Sequence, residues 1–381
     1  MAEFNRSSTL SVTCPARITP ILQQELELKG FPINKVRTAG IETEGTLYDC
    51  MRLNLELRTA HRVHYQLKKF KAKNADDLYE AIRKIEWEEY ISARGYVSVT
   101  SVINNDTIDN DQFANLRVKD AIVDRIRRKT GERPDSGSDL NKTVVFLFWK
   151  DDQASIYLDT SGESISRRGY RKFGHLAPLQ ESLAAAIVMS TKWDKVSPFI
   201  NPMCGSGTIA LEAALIAQNK APGLLRPNYG IKHILGFDEE AWSDLRSDLR
   251  NKALKDVPGR IIATDHDSRA VKSTQMNAKI AGLDHQIETA ICEFEETEIP
   301  LNEKGVIVLN PPYGNRIGDD KKLESLYRSI GDFFKNEATG YWGYVFTGNL
   351  DLAKQVGLRT NQRIEFFNTT LDARLLEYEL Y

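Results

Sequence analysis

The sequence predicts an α/β protein whose C-terminal half is a Rossmann-like, mostly parallel doubly wound sheet, preceded by an α+β region. Three observations carry this. At 381 residues the chain is too long for one ordinary domain and about right for two. From about residue 175, short apolar segments (Pro198–Ile200, Arg260–Ala263, Val306–Leu309, Tyr344–Phe346) run into loops of Gly, Pro, Asn and Asp and are followed by helical patterns. Before that point, strands and helices follow one another without this rhythm.

In the first block, Leu10–Thr13 is a strand candidate, and Ala16–Lys29 has helical apolar spacing through Ile18, Ile21, Leu22 and Leu26, stopped by Gly30. A hairpin-like stretch follows around Ile41–Thr46. A second block contains the helix Ala75–Ile82, the alternating strand Tyr96–Val102 and the basic helix Leu116–Lys129. Two strands, Thr143–Trp149 and Ala154–Leu158, close it. The basic, turn-rich run SISRRGYRKFGHLAP, residues 164–178, marks the boundary to the α/β half.

A hydrophobic fraction of 41% fills a core at this size, and charged residues at 27% nearly cancel to −2. Residues 1–175 hold 28 Lys and Arg against 25 Asp and Glu, a balance of +3, which leaves −5 for the remainder. The lean is compatible with a nucleic-acid-binding first half. Cys14, Cys50, Cys204 and Cys292 are scattered, with no C-x-x-C pair, so neither a zinc site nor a disulfide framework is expected. No run approaches the ~20 apolar residues of a membrane span, and MAEFNRSSTL has no apolar core of a signal peptide; a cytoplasmic protein is expected. The sequence leaves the oligomeric state open.

The segment PFINPMCGSGTIALEAALIA, 198–217, takes an apolar strand through a glycine loop into an almost wholly apolar helix. Gly205 and Gly207 let the backbone turn sharply and come close to a ligand. The helix N-terminus offers unpaired N–H groups to an anionic group such as a carboxylate. The loop is not G-x-G-x-x-G, which argues against a dinucleotide site and a nicotinamide dehydrogenase. Asp265 ends the next strand, where an acid can accept both hydroxyls of a ribose, whereas Asp267 reads as a helix N-cap. About forty extra residues separate the glycines from Asp265, so an insertion must leave the sheet and return to it. Glu293 stands where an acid could accept an adenine amino group, or is an exposed loop glutamate.

The run Val306-Ile-Val-Leu-Asn310-Pro311-Pro312-Tyr313 delivers an Asn and an aromatic ring to a sheet edge, with two prolines fixing the backbone between them. The pattern suits methylation of an amine on a planar ring, whose lone pair is delocalised. The Asn310 side-chain oxygen and the Pro311 carbonyl can hold both amine hydrogens and orient the lone pair, while Tyr313 stacks on the flipped base.

With NPMCGSGT, TDHD, NPPYG, SGESISRRGYR and HLAPLQESLAAAI in this order, the sequence resembles the THUMP-domain class I RNA methyltransferases, in particular the bacterial 23S ribosomal RNA guanine-N2 methyltransferases. The resemblance spans nearly the whole chain. It implies a ferredoxin-like domain at 1–64, a THUMP RNA-binding domain at 65–165 and a class I methyltransferase domain at 166–381. It further implies S-adenosyl-L-methionine as cofactor and RNA, ribosomal above all, as partner, with no metal. Carried over, Asn201, Cys204, Gly205, Ser206, Gly207 and Asn310 line the cofactor, Asp265 holds its ribose and Glu293 its adenine. Asn310, Pro311 and Tyr313 hold the target amine. Asn201 departs from the usual Asp of the family, and Asn315 from its usual Glu. The alternatives are a transfer-RNA guanine-N2 methyltransferase, a methyltransferase for DNA adenine N6 or a protein glutamine, and a non-catalytic RNA-binding or ribosome-assembly protein. Three basic clusters are expected to meet phosphate: Lys68, Lys69, Lys71 and Lys73; Arg125, Arg127, Arg128, Lys129 and Arg133; and Arg167, Arg168, Arg171 and Lys172.

Overall fold

The computed structural model describes residues 3–108, 110–174, 179–300, 303–313, 320–368 and 371–381. Asn315 and the HLAP stretch at 175–178 lie outside these residues. The chain divides into two compact units. The first comprises Met1–Cys14, Leu22–Ile165 and Arg226–Asp248; the second comprises Pro15–Ile21, Ser166–Leu225 and Leu249–Tyr381.

In the first unit, the strands are β1 Ser8–Thr13, β2 Lys35–Arg37, β3 Gly40–Gly45, β4 Arg62–Lys71, β5 Tyr96–Asn104, β6 Asp135–Ser136, β7 Thr143–Lys150 and β8 Gln153–Asp159. They form one eight-stranded sheet in the order β2-β3-β1-β4-β8-β7-β5-β6. Strand β4 is its seam, pairing antiparallel with β1 on one side (Val12 opposite Val63) and with β8 on the other (His64 opposite Asp159). The expected division at residue 64 falls within β4, so one continuous sheet runs through both N-terminal regions. Helices are punctuated by the expected chemistry. Thr46 and Asp49 make a reciprocal capping box for Leu47–Glu56, and Asn74 caps Ala75–Arg83. Helix Asp111–Thr130 ends on Gly131 in the left-handed region.

The forty-residue insertion supplies part of this first unit. Ile231 donates its N–H to the Thr160 carbonyl at 2.9 Å, and the Thr143 hydroxyl donates to the His233 carbonyl at 2.9 Å. Gly162 and Gly230 pack so closely that a Cβ on Gly230 would lie 2.4 Å from the Asp159 carbonyl oxygen. The insertion therefore folds with residues far from it in sequence and leaves the other sheet intact.

In the second unit the strands are β9 Phe199–Asn201, β10 Ile261–Asp265, β11 Glu288–Ile291, β12 Val306–Leu309, β13 Trp342–Thr347, β14 Gln362–Asn368 and β15 Leu371–Glu379. The order is β11-β10-β9-β12-β13-β15-β14. The first five strands are parallel, and β15 pairs antiparallel with both β13 and β14. Strands buried on both faces read as continuous apolar runs, as VIVL in β12 does. Ile200, Ile307, Leu309 and Val345 pack with Tyr327, Ile330 and Phe334 of helix Asp320–Glu337 in one core. From β9 the chain winds outward to β10 and β11, then crosses back to β12 and β13. The reversal lies between β9 and β12, and in open α/β sheets ligands bind outside the carboxyl ends of the strands at such a point.

Candidate functional site

A pocket of about 700 Å³ opens at that reversal, lined by the carboxyl ends of β9, β10 and β12 and the loops leaving them. Asn201, Cys204, Gly205, Ser206, Asp265, Glu293, Asn310, Pro311 and Tyr313 all line it. These strand ends are far apart in the chain and meet because their strands are neighbours in the sheet.

The glycine loop after β9 is turned tightly. Met203, Gly205 and Gly207 all have positive φ, at 55°, 58° and 80°. A non-glycine residue there is uncommon and costs strain that surrounding structure must hold. The two glycines are needed for different reasons. A Cβ on Gly205 would meet nothing within 4 Å, so this position leaves open space at the pocket wall. A Cβ on Gly207 would lie 2.6 Å from Thr274 Cγ2, so this position lets the next helix pack close. Gly207 does not line the pocket; it caps helix Thr208–Ala217 in the left-handed region, without a side-chain cap bond. The helix is buried along its whole length, in keeping with its nearly continuous apolar sequence.

Three side chains from β10 and the following helix Ser268–Ala281 clasp this loop. Asp265 Oδ2 accepts the Gly205 N–H at 2.9 Å. The Thr274 hydroxyl donates to the Gly205 carbonyl at 3.0 Å, and Asn277 Nδ2 donates to the Ser206 carbonyl at 3.1 Å. Asp265 Oδ1 also accepts the Asp267 N–H at 3.0 Å. A carboxylate offers about four lone-pair positions, so Asp265 keeps acceptor capacity toward the pocket. Asp267 is an N-cap, its side chain accepting from the Arg269 N–H at 2.9 Å. The Cys204 thiol is pushed up to about 12 by burial, which makes it a neutral wall group.

Two side-chain amide oxygens at the carboxyl ends of β9 and β12 are buried without a hydrogen-bond partner among the described residues. Asn201 is 1% exposed. Its Nδ2 donates to the Val308 carbonyl at 2.8 Å, which fixes the amide's orientation and ties β9 to β12 just ahead of Asn310. Its Oδ1 is buried without a partner among the described residues. Asn310 Oδ1 is likewise buried and unpartnered. A buried acceptor left unpaired costs about 1–3 kcal/mol. Both residues that carry these oxygens are among those lining the pocket. Glu293 is exposed and makes a reciprocal capping box with Glu296 while facing the same pocket.

The basic clusters need correction. Arg125 lies on the inner side of its helix, 8% exposed, with its guanidinium on Glu88 at 2.5 Å. Helical periodicity turns Arg127, Arg128 and Lys129 outward instead. Arg168 is 1% exposed and faces Glu212, which also accepts the Tyr170 hydroxyl at 2.9 Å. Neither Arg125 nor Arg168 can meet phosphate, because each compensates a carboxylate in its own unit. Lys68, Lys69 and Lys71 are exposed on β4. Among the described residues no group of His, Cys, Asp and Glu could hold a metal ion, and no helix is long and apolar enough to cross a membrane.

Sheet order and pocket position together define a class I methyltransferase fold. The chain belongs to the RMKL-like methyltransferase-domain family, whose model matches residues 168–377. Models of the THUMP domain and of the RlmL ferredoxin-like domain match residues 72–159 and 9–64. The ribosomal RNA large subunit methyltransferase K/L of Syntrophotalea carbinolica is 38% identical over 379 residues, covering 97% of this chain and 53% of its own length. The protein of the same name from Cellvibrio japonicus is 36% identical, covering 96% of this chain and 50% of its own. The chain thus spans about half the length of the curated relatives it matches. Among solved structures, the methyltransferase SMU.472, crystallised with SAH, matches with a TM-score of 0.90 at 26% identity over 99% of both chains. A Listeria monocytogenes protein described as "a predicted N6-adenine-specific DNA methylase" matches with a TM-score of 0.88 at 30% identity, over 98% of this chain and 96% of its own.

Proposed function

We propose that this chain transfers a methyl group from S-adenosyl-L-methionine to the exocyclic N2 amine of a guanine in RNA, with large-subunit ribosomal RNA as the substrate. The carrying observation is Asn310, which lines the pocket at the sheet reversal and whose Oδ1 has no hydrogen-bond partner among the described residues. The SAH in the SMU.472 structure and the ribosomal names of the curated relatives support the cofactor and the substrate.

S-adenosyl-L-methionine supplies an electrophilic methyl group on a sulfonium centre. Asp265 accepts the ribose hydroxyls with the lone pairs that Gly205 and Asp267 leave unused. Asn201 Oδ1 accepts from the amino group at the methionine end, a neutral acceptor doing the work of the family's usual carboxylate. Glu293 accepts the adenine amine. The glycine loop and the helix N-terminus behind it favour the methionine carboxylate. Asn310 Oδ1 and the Pro311 carbonyl accept the two N–H bonds of the target amine, and the Tyr313 ring stacks on its base. These bonds strengthen as positive charge grows on nitrogen, so they act mainly in the transition state. The nitrogen, once methylated, is acidic enough to lose its proton without a base of shifted pKa.

In this reading residues 1–64 form the ferredoxin-like domain, 65–165 the THUMP domain that grips RNA, and 166–381 the catalytic domain, at work in the cytoplasm. A second reading, methylation of adenine N6 in DNA, is favoured by the description of the Listeria structure. The Asn-Pro-Pro-Tyr run serves either amine, and the THUMP match at 72–159 weighs toward RNA. Mass-spectrometric mapping of methylated nucleosides in RNA and DNA from cells with and without the protein tests both. Loss of N2-methylguanine from ribosomal RNA supports the proposal. Loss of N6-methyladenine from DNA alone overturns it in favour of the second reading.

A further inference from the structure

Phe173 is a large apolar residue that the fold leaves 39% exposed, within the basic run Arg171-Lys172-Phe173. An exposed phenylalanine on a loop is ordinarily free to move, but here its backbone is held on both sides. Asn277, itself 0% exposed, accepts the Phe173 N–H at 3.1 Å and the Lys172 N–H at 3.2 Å through Oδ1. Its Nδ2 donates to the Phe173 carbonyl at 2.9 Å and to the Ser206 carbonyl at 3.1 Å. Both hydrogens and both lone pairs of one amide are thereby used. The same side chain fixes Phe173 and the Ser206 turn of the glycine loop that lines the pocket. The backbone that carries the ring is therefore held one amide's breadth from that loop, beside the exposed Lys172.

We propose that Phe173 is a stacking platform for an unpaired nucleobase of the RNA substrate, adjacent to the nucleotide that enters the pocket, and that Asn277 is the positioning residue that holds it there. This rests on the RNA reading given above. Arg171 is turned onto Glu181, so the cation beside the ring is Lys172. An exposed aromatic face next to a cation is the chemistry that holds single-stranded nucleic acid, because every base offers a π-face and every linker a phosphate. A ring on an already ordered backbone binds without the entropy cost of ordering the loop that carries it. The stacked base keeps the strand splayed, so that its neighbour can leave the helix and enter the pocket.

The test uses the full chain and a fluorescently labelled single-stranded RNA of mixed sequence, with SAH titrated separately. Phe173→Ala should weaken RNA binding on the order of tenfold, the size expected for one lost base stack, and leave SAH affinity unchanged. Phe173→Trp should restore affinity, and its emission in excess of the wild type's five tryptophans should be quenched when RNA is added. Asn277→Ala should lower RNA affinity in the same direction, and Asn277→Asp, which lacks the Nδ2 donor to the Phe173 carbonyl, should not restore it; wild-type RNA affinity in Asn277→Ala overturns its positioning role. Wild-type RNA affinity in Phe173→Ala, or an unquenched tryptophan on a chain that binds RNA, overturns the platform while leaving the RNA reading in place. A wild-type chain that binds no RNA and methylates none overturns the reading itself, and the platform with it.

Discussion

Asp265 Oδ2 accepts the backbone N–H of Gly205 at 2.9 Å, so the acid at the end of β10 holds in shape the loop that leaves β9. One carboxylate thus serves two purposes in the proposed site, acceptor for the cofactor's ribose and clasp for the turn beside it.

Replacing Asp265 by Ala should remove both. Loss of charge-assisted hydrogen bonds predicts weaker cofactor binding by about 2–3 kcal/mol. Titration calorimetry with SAH measures it, and unchanged affinity would remove Asp265 from the site.

Asn310→Ala should separate chemistry from binding. The unpartnered Oδ1 is expected to matter when charge develops on nitrogen, so the single-turnover methylation rate should fall by roughly a hundredfold or more. Affinities for SAH and RNA should change little. A variant that keeps most of the wild-type rate would show that the amine is held elsewhere.

The two glycines of the loop should fail in different assays. Gly207→Ala forces a Cβ to within 2.6 Å of Thr274 at a φ of 80°, and should destabilise the fold by more than about 1 kcal/mol. Gly205→Ala meets no protein atom within 4 Å at a φ of 58°. It should cost about 1 kcal/mol of backbone strain, with a larger fall in SAH affinity because the new methyl occupies ligand space. Denaturant melts beside SAH titrations distinguish them. Equal losses of stability with equal losses of affinity would refute the division.

The basic helix Asp111–Thr130 should likewise split in two. Arg125→Ala strips Glu88 of its partner and should cost about 1–3 kcal/mol of stability, with RNA affinity nearly unchanged. The Arg125 guanidinium holds the Glu88 carboxyl below its ordinary value. That contribution is present above the unfolded-state pKa and lost as pH falls through the lower, folded one. The variant should therefore lose less stability on acidification than wild type does. Arg127→Gln with Arg128→Gln, both outward-facing, should leave melting unchanged and flatten the salt dependence of RNA binding by up to about two units. A wild-type salt slope in the double variant would place the RNA elsewhere.

Local chemistry made much of this protein legible in its sequence. The glycine loop, the acid ending β10, the Asn-Pro-Pro-Tyr run and the Asp267 cap are each specified within a few residues, because strand, turn and cap preferences act over that range. The strand β4 and the antiparallel hairpin β14–β15 were not picked out by pattern. Their segments, RVHYQLKKFK and QRIEFFN, mix charge with apolar residues, so no alternation marks them; β4 gains its pairing from the distant β1 and β8, and β14 from the next strand, β15.

Tertiary structure decided what depends on partners distant in sequence. It withdrew Arg125 and Arg168 from the phosphate-facing set, since a guanidinium's availability depends on which carboxylate the fold brings to it. It set Asn201 Nδ2 on the Val308 carbonyl and left Oδ1 buried without a partner among the described residues. It brought Asn277 between Phe173 and Ser206, three segments whose sequences carry no mark of one another. Sequence alone determined the strand and turn chemistry that specifies the loops. Only the packed sheet, by making β9, β10 and β12 neighbours, determined which polar atoms are satisfied within the protein and which are left for a ligand.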